Sequence, residues 1–165
     1  MTLVRVNKDN LDEYEEFIKK HPKGLFQHSS KWAKVKSAWK FEAIMLKNDS
    51  GEIKGSAAVL IRSIPIIKNS LMYCCRGFVC DENDFDTFDK LFNGLIELGK
   101  EYKTYCIKID PEIVIQNEAY KKHLIEKGFI ELNPGCMDFE NVQPRFVYCF
   151  DYNGMNEDEL MLTFK

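Results

Sequence analysis

Lysines and aromatic residues crowd the stretch Phe26-Gln27-His28-Ser29-Ser30-Lys31-Trp32-Ala33-Lys34-Val35-Lys36-Ser37-Ala38-Trp39, a combination suited to binding an anion. Read as a helix at about 100° per residue, it places Trp32, Val35 and Trp39 on one apolar stripe. Ser29 or Ser30 supplies the N-cap, because a hydroxyl accepts a hydrogen bond from an otherwise unpaired backbone N–H. Lys36 follows Trp32 by one helical turn and lies on the border of the stripe, as does Lys40. A lysine there can rest its stem on the aromatic face and offer its ammonium to a cleft. It can equally be a surface lysine that snorkels. Lys34 points away, into solvent.

Asp110 ends the apolar run Thr104 to Ile109 and precedes Pro111. A strand end is a usual place for a site in an α/β sheet. An aspartate in its ordinary range is a poor base at neutral pH, so proton chemistry there would need burial to raise its pKa. The simpler alternative is an ion pair with Lys108, two residues away on the same strand face.

The cysteines are Cys74, Cys75, Cys80, Cys106, Cys136 and Cys149, and none forms a C-x-x-C pair. They read as structural thiols. Cys74, Cys75 and Cys80 lack a nearby histidine and have the wrong spacing for a zinc site, so no metal and no cofactor are expected.

The net charge of −3 hides an asymmetry: residues 1–80 carry +6 and residues 81–165 carry −9. A basic N-terminal half can face an anionic ligand, or be ordinary solvated surface. It is not basic enough for tight duplex DNA binding. No apolar run approaches the roughly 20 residues that cross a bilayer, and Met1-Thr2-Leu3-Val4-Arg5 does not open a signal peptide. The expected location is cytoplasmic.

The elements that must position these groups follow from periodicity. Leu3–Val6 is a short strand. A helix capped by Asn7 or Asp9 carries Leu11, Tyr14, Phe17 and Ile18 on one face and ends near Pro22 and Gly24. Phe41–Leu46 and Glu52–Arg62 form an antiparallel hairpin around the turn Asn48–Gly51. Leu71–Cys75 is a third strand of that region. Asp84 opens a long helix with Phe88, Leu91, Phe92, Leu95 and Gly99 on its buried side. Thr104–Ile109 is a strand, a helix spans about Glu118 to Lys127, and Ile130–Leu132 and Phe146–Phe150 are further strands. Glu157 to Lys165 starts a last helix with no stop signal, as in a fragment of a longer chain.

The 165 residues suit one domain of α/β (α+β) class, with a mixed, mostly antiparallel sheet flanked by helices. The element order is compatible with the N-acetyltransferase-like (GNAT) fold. Such enzymes hold acyl-CoA pyrophosphate with a Gln/Arg-x-x-Gly-x-Gly/Ala loop that leads into a helix. The sequence has no such loop; Arg76-Gly77-Phe78-Val79 is the nearest glycine turn and lacks the spacing.

Several motifs together resemble the Fem family of peptidoglycan interpeptide-bridge aminoacyltransferases (FemA, FemB, FemX). They are Phe26-Gln27 with Trp32-Ala33-Lys34-Val35-Lys36 and Trp39, Gly55 to Arg62 with Ile64-Pro65, and Tyr73-Cys74-Cys75-Arg76-Gly77-Phe78-Val79 with Asp81. Lys108-Ile109-Asp110-Pro111, Gly128-Phe129 and Gln143-Pro144-Arg145 follow in the family's order. Phe78 departs from relatives that often have proline after the glycine.

The resemblance implies an N-terminal domain, here 1–165, of an enzyme about twice this length with two GNAT-like domains. It implies transfer of an amino acid from aminoacyl-tRNA to the side-chain amine of a muropeptide precursor, UDP-MurNAc-pentapeptide or lipid II. The tRNA would be met mainly by the second domain, so the fragment alone is expected to be inactive. By the same resemblance, Lys36 approaches the precursor's diphosphate, and Tyr105 and Asp110 line its cleft. Trp39 and Arg76 join them as substrate-binding candidates. Aminolysis of the ester needs a proton acceptor, for which Asp110 is the candidate, though a binding or orienting role suits it better. Strict strand alternation sets Tyr105 and Asp110 on opposite faces, so one cleft holds both only if the strand end twists. Two other readings remain: a stand-alone acyl-CoA-dependent N-acetyltransferase, and a non-catalytic nucleotide-sugar or interaction module.

Overall fold

The computed structural model describes residues 1–66, 68–114, 116–132, 152 and 154–163. They fall into two compact units, Met1–Ile130 and Glu131–Lys165. The first holds a five-stranded sheet in simple sequence order: β1 (Thr2–Arg5), β2 (Lys40–Lys47), β3 (Ile53–Ile64), β4 (Asn69–Cys74) and β5 (Thr104–Ile109). All neighbours are antiparallel except β4 and β5. That parallel pair needs a crossover, which the long helix α3 (Phe85–Glu101) provides.

The expected hairpin is present, closed over Asn48 to Glu52 by the Gly51 N–H donating to the Asn48 carbonyl. Its strands are buried on both sides along their centres, because each sheet face carries its own helix layer. Ile44, Leu46, Ala57, Val59, Ile61 and Met72 pack against Phe88, Leu91, Leu95 and Leu98 of α3. The other face, with Ala43, Met45 and Ala58, receives Tyr14 and Ile18 of α1 (Leu11–Lys20). Leu91 and Leu95 are fully buried, and truncating either to alanine should cost about 2–5 kcal/mol. Residue Asn10, not Asn7 or Asp9, occupies the N-cap of α1; Asn7 and Asn10 are spent on each other's loop, with the Asn7 N–H donating to Asn10 Oδ1 at 2.7 Å.

The tryptophan helix differs from expectation. α2 spans only Ser30–Val35 and buries no residue. Pairing of β2 with β3 starts at Lys40 opposite Ile61, so residues 36–39 must reverse the chain. Trp39 therefore leaves the helix, Val35 is exposed, and no buried stripe forms. Lys40 is drawn into β2, where its ammonium reaches the Tyr102 hydroxyl at 2.5 Å. Ser29 is the N-cap, as expected, its side chain accepting from the Lys31 N–H.

α4 (Glu118–Glu126) lays Tyr120 and Leu124 on the α3 side of the sheet. Ile130–Leu132 is not a strand, and Phe146–Phe150 lies outside the described residues. In the second unit, α5 (Glu157–Thr163) starts with reciprocal bonds between Asn156 and Glu159. No helix among the described residues is long and apolar enough to cross a membrane.

Candidate functional site

Because β4 and β5 run parallel, their C-terminal ends emerge at the same edge of the sheet. Past β4 the chain makes a tight turn. Arg76 (φ 60°) and Gly77 (φ 76°) are both left-handed, and the Gly77 N–H donates to the Cys74 carbonyl at 3.3 Å. A side chain on Gly77 would start 2.9 Å from Pro111 Cβ, so glycine serves both the backbone angle and the close approach of the segment after β5.

This turn aims the Arg76 backbone N–H at Asp110, whose Oδ1 accepts it at 2.7 Å. Asp110 thus takes an amide and not the Lys108 ammonium that spacing suggested. Its Oδ2 and the Tyr73 hydroxyl are both buried and near each other, without completing a hydrogen bond. Burial pushes the Asp110 carboxyl above the usual aspartate range, against the opposing pull of the Arg76 amide. Burial also raises the Tyr73 hydroxyl and the Cys75 thiol, and each of these groups feels the Asp110 charge. Cys75 feels the cations of Arg76 and Lys36 as well. The charges of the predicted residues Lys36, Arg76 and Asp110 are thus all felt at one thiol.

The turn rests on His28, which is buried and accepts the Leu25 N–H at Nδ1, 3.0 Å away. The proton of the neutral ring then sits on Nε2, beside the Cys75 and Gly77 carbonyls, without completing a hydrogen bond to either. Burial lowers the His28 pKa to about 4. The Tyr14 hydroxyl donates to the His28 carbonyl at 2.6 Å and ties this support to α1. Nothing in the spacing of His28 marked it; a lone histidine has no partner visible in the sequence.

Lys36 caps the end of α2, and its ammonium lies 5.1 Å from the centre of the Trp32 ring. The one-turn spacing thus pairs them as expected, but on the surface and not at the rim of a core. Trp39 instead meets Arg62 of β3, whose guanidinium carbon is 5.6 Å from the ring centre. Tyr105 is the extra residue of a bulge: Ser70 pairs with Thr104, but Leu71 pairs with Cys106. The bulge breaks the strict alternation that separated Tyr105 from Asp110. Tyr105 is 56% exposed, and its hydroxyl bonds to no described residue. Cys74, Cys75 and Cys80 are buried thiols, whereas Cys106, beside the bulge, is exposed and does not serve the core. Cys136 and Cys149, like Gln143-Pro144-Arg145, lie outside the described residues.

The Arg76 side chain lines a small recess with Lys23, Phe78, Glu82, Pro111 and Tyr120, where its Nε is buried without a partner. The start of α3, like that of any helix, has backbone N–H groups that an anion such as pyrophosphate could accept from. Here Asp84 already takes the Thr87 N–H at 3.0 Å, and Asp81, Glu82 and Asp86 flank it. Such a helix start repels a further anion. Among the described residues, no group of three His, Cys, Asp or Glu side chains could hold a metal ion.

The sequence model of the FemAB family matches residues 10–165. The chain belongs to the FemAB family. Its relatives include the lipid II:glycine glycyltransferase of Staphylococcus epidermidis, 32% identical over 158 residues, covering 93% of this chain and 37% of that protein. The Staphylococcus aureus protein of the same name is 30% identical over 161 residues, with the same coverage of 93% and 37%. The chain thus spans little more than a third of these FemAB relatives, which exceed the twofold length expected from the resemblance. The crystal structure of FemX superposes with a TM-score of 0.68 at 30% identity, covering 78% of this chain and 32% of that one. A probable acetyltransferase, 13% identical with a TM-score of 0.60, covers 92% of this chain and is itself covered completely (100%). That likeness establishes the GNAT-like fold of this FemAB chain and nothing about its chemistry.

Proposed function

We propose that this FemAB chain binds the muropeptide acceptor for an enzyme that transfers an amino acid from aminoacyl-tRNA to a stem-peptide amine. The acceptor is lipid II or UDP-MurNAc-pentapeptide, met on the cytoplasmic side of the membrane. The chain is the N-terminal part of the longer enzyme, and the tRNA is met by the part beyond it. The names of the glycyltransferase relatives support the lipid-linked acceptor.

The observation that carries the reading is the pair of buried atoms at the sheet end, Asp110 Oδ2 and the Tyr73 hydroxyl, which sit near each other without completing a hydrogen bond. Leaving such atoms unpaired costs about 1–3 kcal/mol each, a cost that a ligand with matching polar groups removes. One is an acceptor and the other can donate, which suits the amide and hydroxyl groups of a muropeptide. Asp110 binds and orients: the Arg76 amide holds one of its oxygens and so fixes the direction of the other. Lys36, whose charge is felt at Cys75, takes the diphosphate. Arg76 contributes through its backbone N–H, and Trp39, beside Arg62, and Tyr105, at the start of β5, would meet more distant parts of the acceptor.

Calorimetry with UDP-MurNAc-pentapeptide tests this. Asp110→Asn and Tyr73→Phe should each weaken binding by roughly tenfold. Unchanged affinity in both variants would overturn the site. The purified 165-residue chain should show no transfer from aminoacyl-tRNA, while the full-length enzyme should. The acyl-CoA-dependent alternative is disfavoured by the acidic start of α3, and turnover of acetyl-CoA by this chain would restore it.

A further inference from the structure

We propose that the surface formed by Phe26, Trp32 and Val35, with Lys31 and Lys34 beside it, docks on an anionic phospholipid bilayer. Between Phe17 and Phe41 the chain has seven lysines and no acidic residue. Lys20, Lys23 and Lys40 are paired with Glu16, Glu82 and Glu42. Lys31 and Lys34 form no salt bridge with a described residue and are exposed.

Between these cations the surface is apolar. Phe26 is 64% exposed and Val35 68%, and α2 buries none of its side chains. The rings of Phe26 and Trp32 meet edge to face, 5.1 Å between centres, and Val35 is one turn from Trp32 on the same side of the helix. Large apolar side chains in water, rimmed by lysines whose stems can extend past them, match the composition of a membrane-interface contact. The lysines match an anionic headgroup layer in charge.

Single-stranded RNA is the other polyanion such a surface suggests. It stacks bases on open aromatic faces. Here Trp32 already meets Phe26 and lies under the Lys36 ammonium, and Val35 offers no stacking face. The bilayer is the better fit. A lipid-linked acceptor gives the docking its purpose, and in that sense it rests on the function proposed above; vesicle binding itself needs no acceptor.

The test is co-sedimentation of the 165-residue chain, and of the full-length enzyme, with precursor-free vesicles, either pure phosphatidylcholine or an equal mixture with phosphatidylglycerol. Binding by the short chain alone would assign the surface to the rest of the enzyme and overturn the proposal. Binding to the anionic vesicles should be at least about tenfold stronger and should fall as salt rises. Lys31→Ala with Lys34→Ala should weaken it roughly tenfold or more. Phe26→Ser should weaken it several-fold while the salt dependence remains. Both variants should melt like the parent, since these side chains are exposed.

No sedimentation at low salt, equal binding to both vesicles, or indifference to both variants would overturn the proposal. So would binding of tRNA, but not of vesicles, that the lysine variant abolishes. A dimer in analytical ultracentrifugation that Phe26→Ser dissolves, without vesicle binding, would assign the surface to a second copy instead. Vesicle binding without calorimetric binding of UDP-MurNAc-pentapeptide would leave this proposal standing and sink the functional one; the reverse would sink only this one.

Discussion

Asp110 Oδ1 accepts the backbone N–H of Arg76 at 2.7 Å, joining the end of β5 to the left-handed turn after β4 across 34 residues of sequence. The bond leaves the second carboxylate oxygen buried, with no completed hydrogen bond. The same contact that shapes the turn therefore also presents the acceptor.

Asp110 should trade stability for binding. Its folded pKa is raised by burial, so its contribution favours the fold below its unfolded pKa and is lost as pH rises through the higher folded value. At neutral pH the ionised carboxylate opposes folding. Asp110→Asn should thus raise the melting temperature at pH 7, with a smaller gain near pH 3, while precursor binding falls. Thermal melts at the two pH values check the sign; a lower melting temperature at pH 7 would contradict it.

His28 should give the chain an acid-sensitive step. Its pKa drops to about 4 in the fold, so its contribution is complete above the ordinary histidine value and is lost as pH falls toward 4. The shift corresponds to roughly 3 kcal/mol, mostly lost before ordinary carboxylates titrate. His28→Asn can still accept the Leu25 N–H but does not titrate. Urea unfolding between pH 7 and 4 should show a steeper loss in the parent than in this variant.

Lys36→Ala should weaken UDP-MurNAc-pentapeptide binding by the full-length enzyme about ten- to a hundredfold, the worth of one charge-assisted phosphate contact. Lys34→Ala should change it little with this soluble ligand. Calorimetric titration at two salt concentrations separates the two lysines. Neither variant should shift the melt, because both side chains are exposed.

Gly77→Ala should damage both fold and site. An L-residue at φ 76° costs about 1–2 kcal/mol, and its side chain would press on Pro111 at 2.9 Å. The melting temperature should fall, and precursor affinity should fall with it, because the Arg76 amide moves away from Asp110. A stability loss with affinity intact would show that the turn does not position the carboxylate.

Elements with strong periodicity were legible in the sequence. The hairpin, the 17-residue α3 and the strand Thr104–Ile109 all stand where alternation and helical stripes put them. The tryptophan helix was read too long because its stripe looks complete in sequence; the pairing of Lys40 with Ile61 that cuts it short is a tertiary fact. The same limit applies to Tyr105, since a bulge is a mismatch between two strands and no single strand carries its signature. Asp110 and Arg76 were visible as motif residues, but their bond was not, and the Lys108 pairing was the nearer guess. Tyr73 and His28 were missed as site residues because burial without a partner can be judged only in three dimensions.

The crossover between β4 and β5 has a consequence for the order of assembly. The hairpin closes through a turn of a few residues, whereas β5 reaches β4 only across the long α3 crossover. Closing the longer loop costs more entropy before any contact repays it. The Arg76–Asp110 bond, spanning 34 residues, therefore forms after the hairpin, as do the β1–β2 pairs, which join residues as far apart as Thr2 and Lys47. The converse holds on opening. Detachment of β5 alone would remove Asp110 while the hairpin and α1 stayed packed, so binding competence can be lost at a lower free energy than the fold itself.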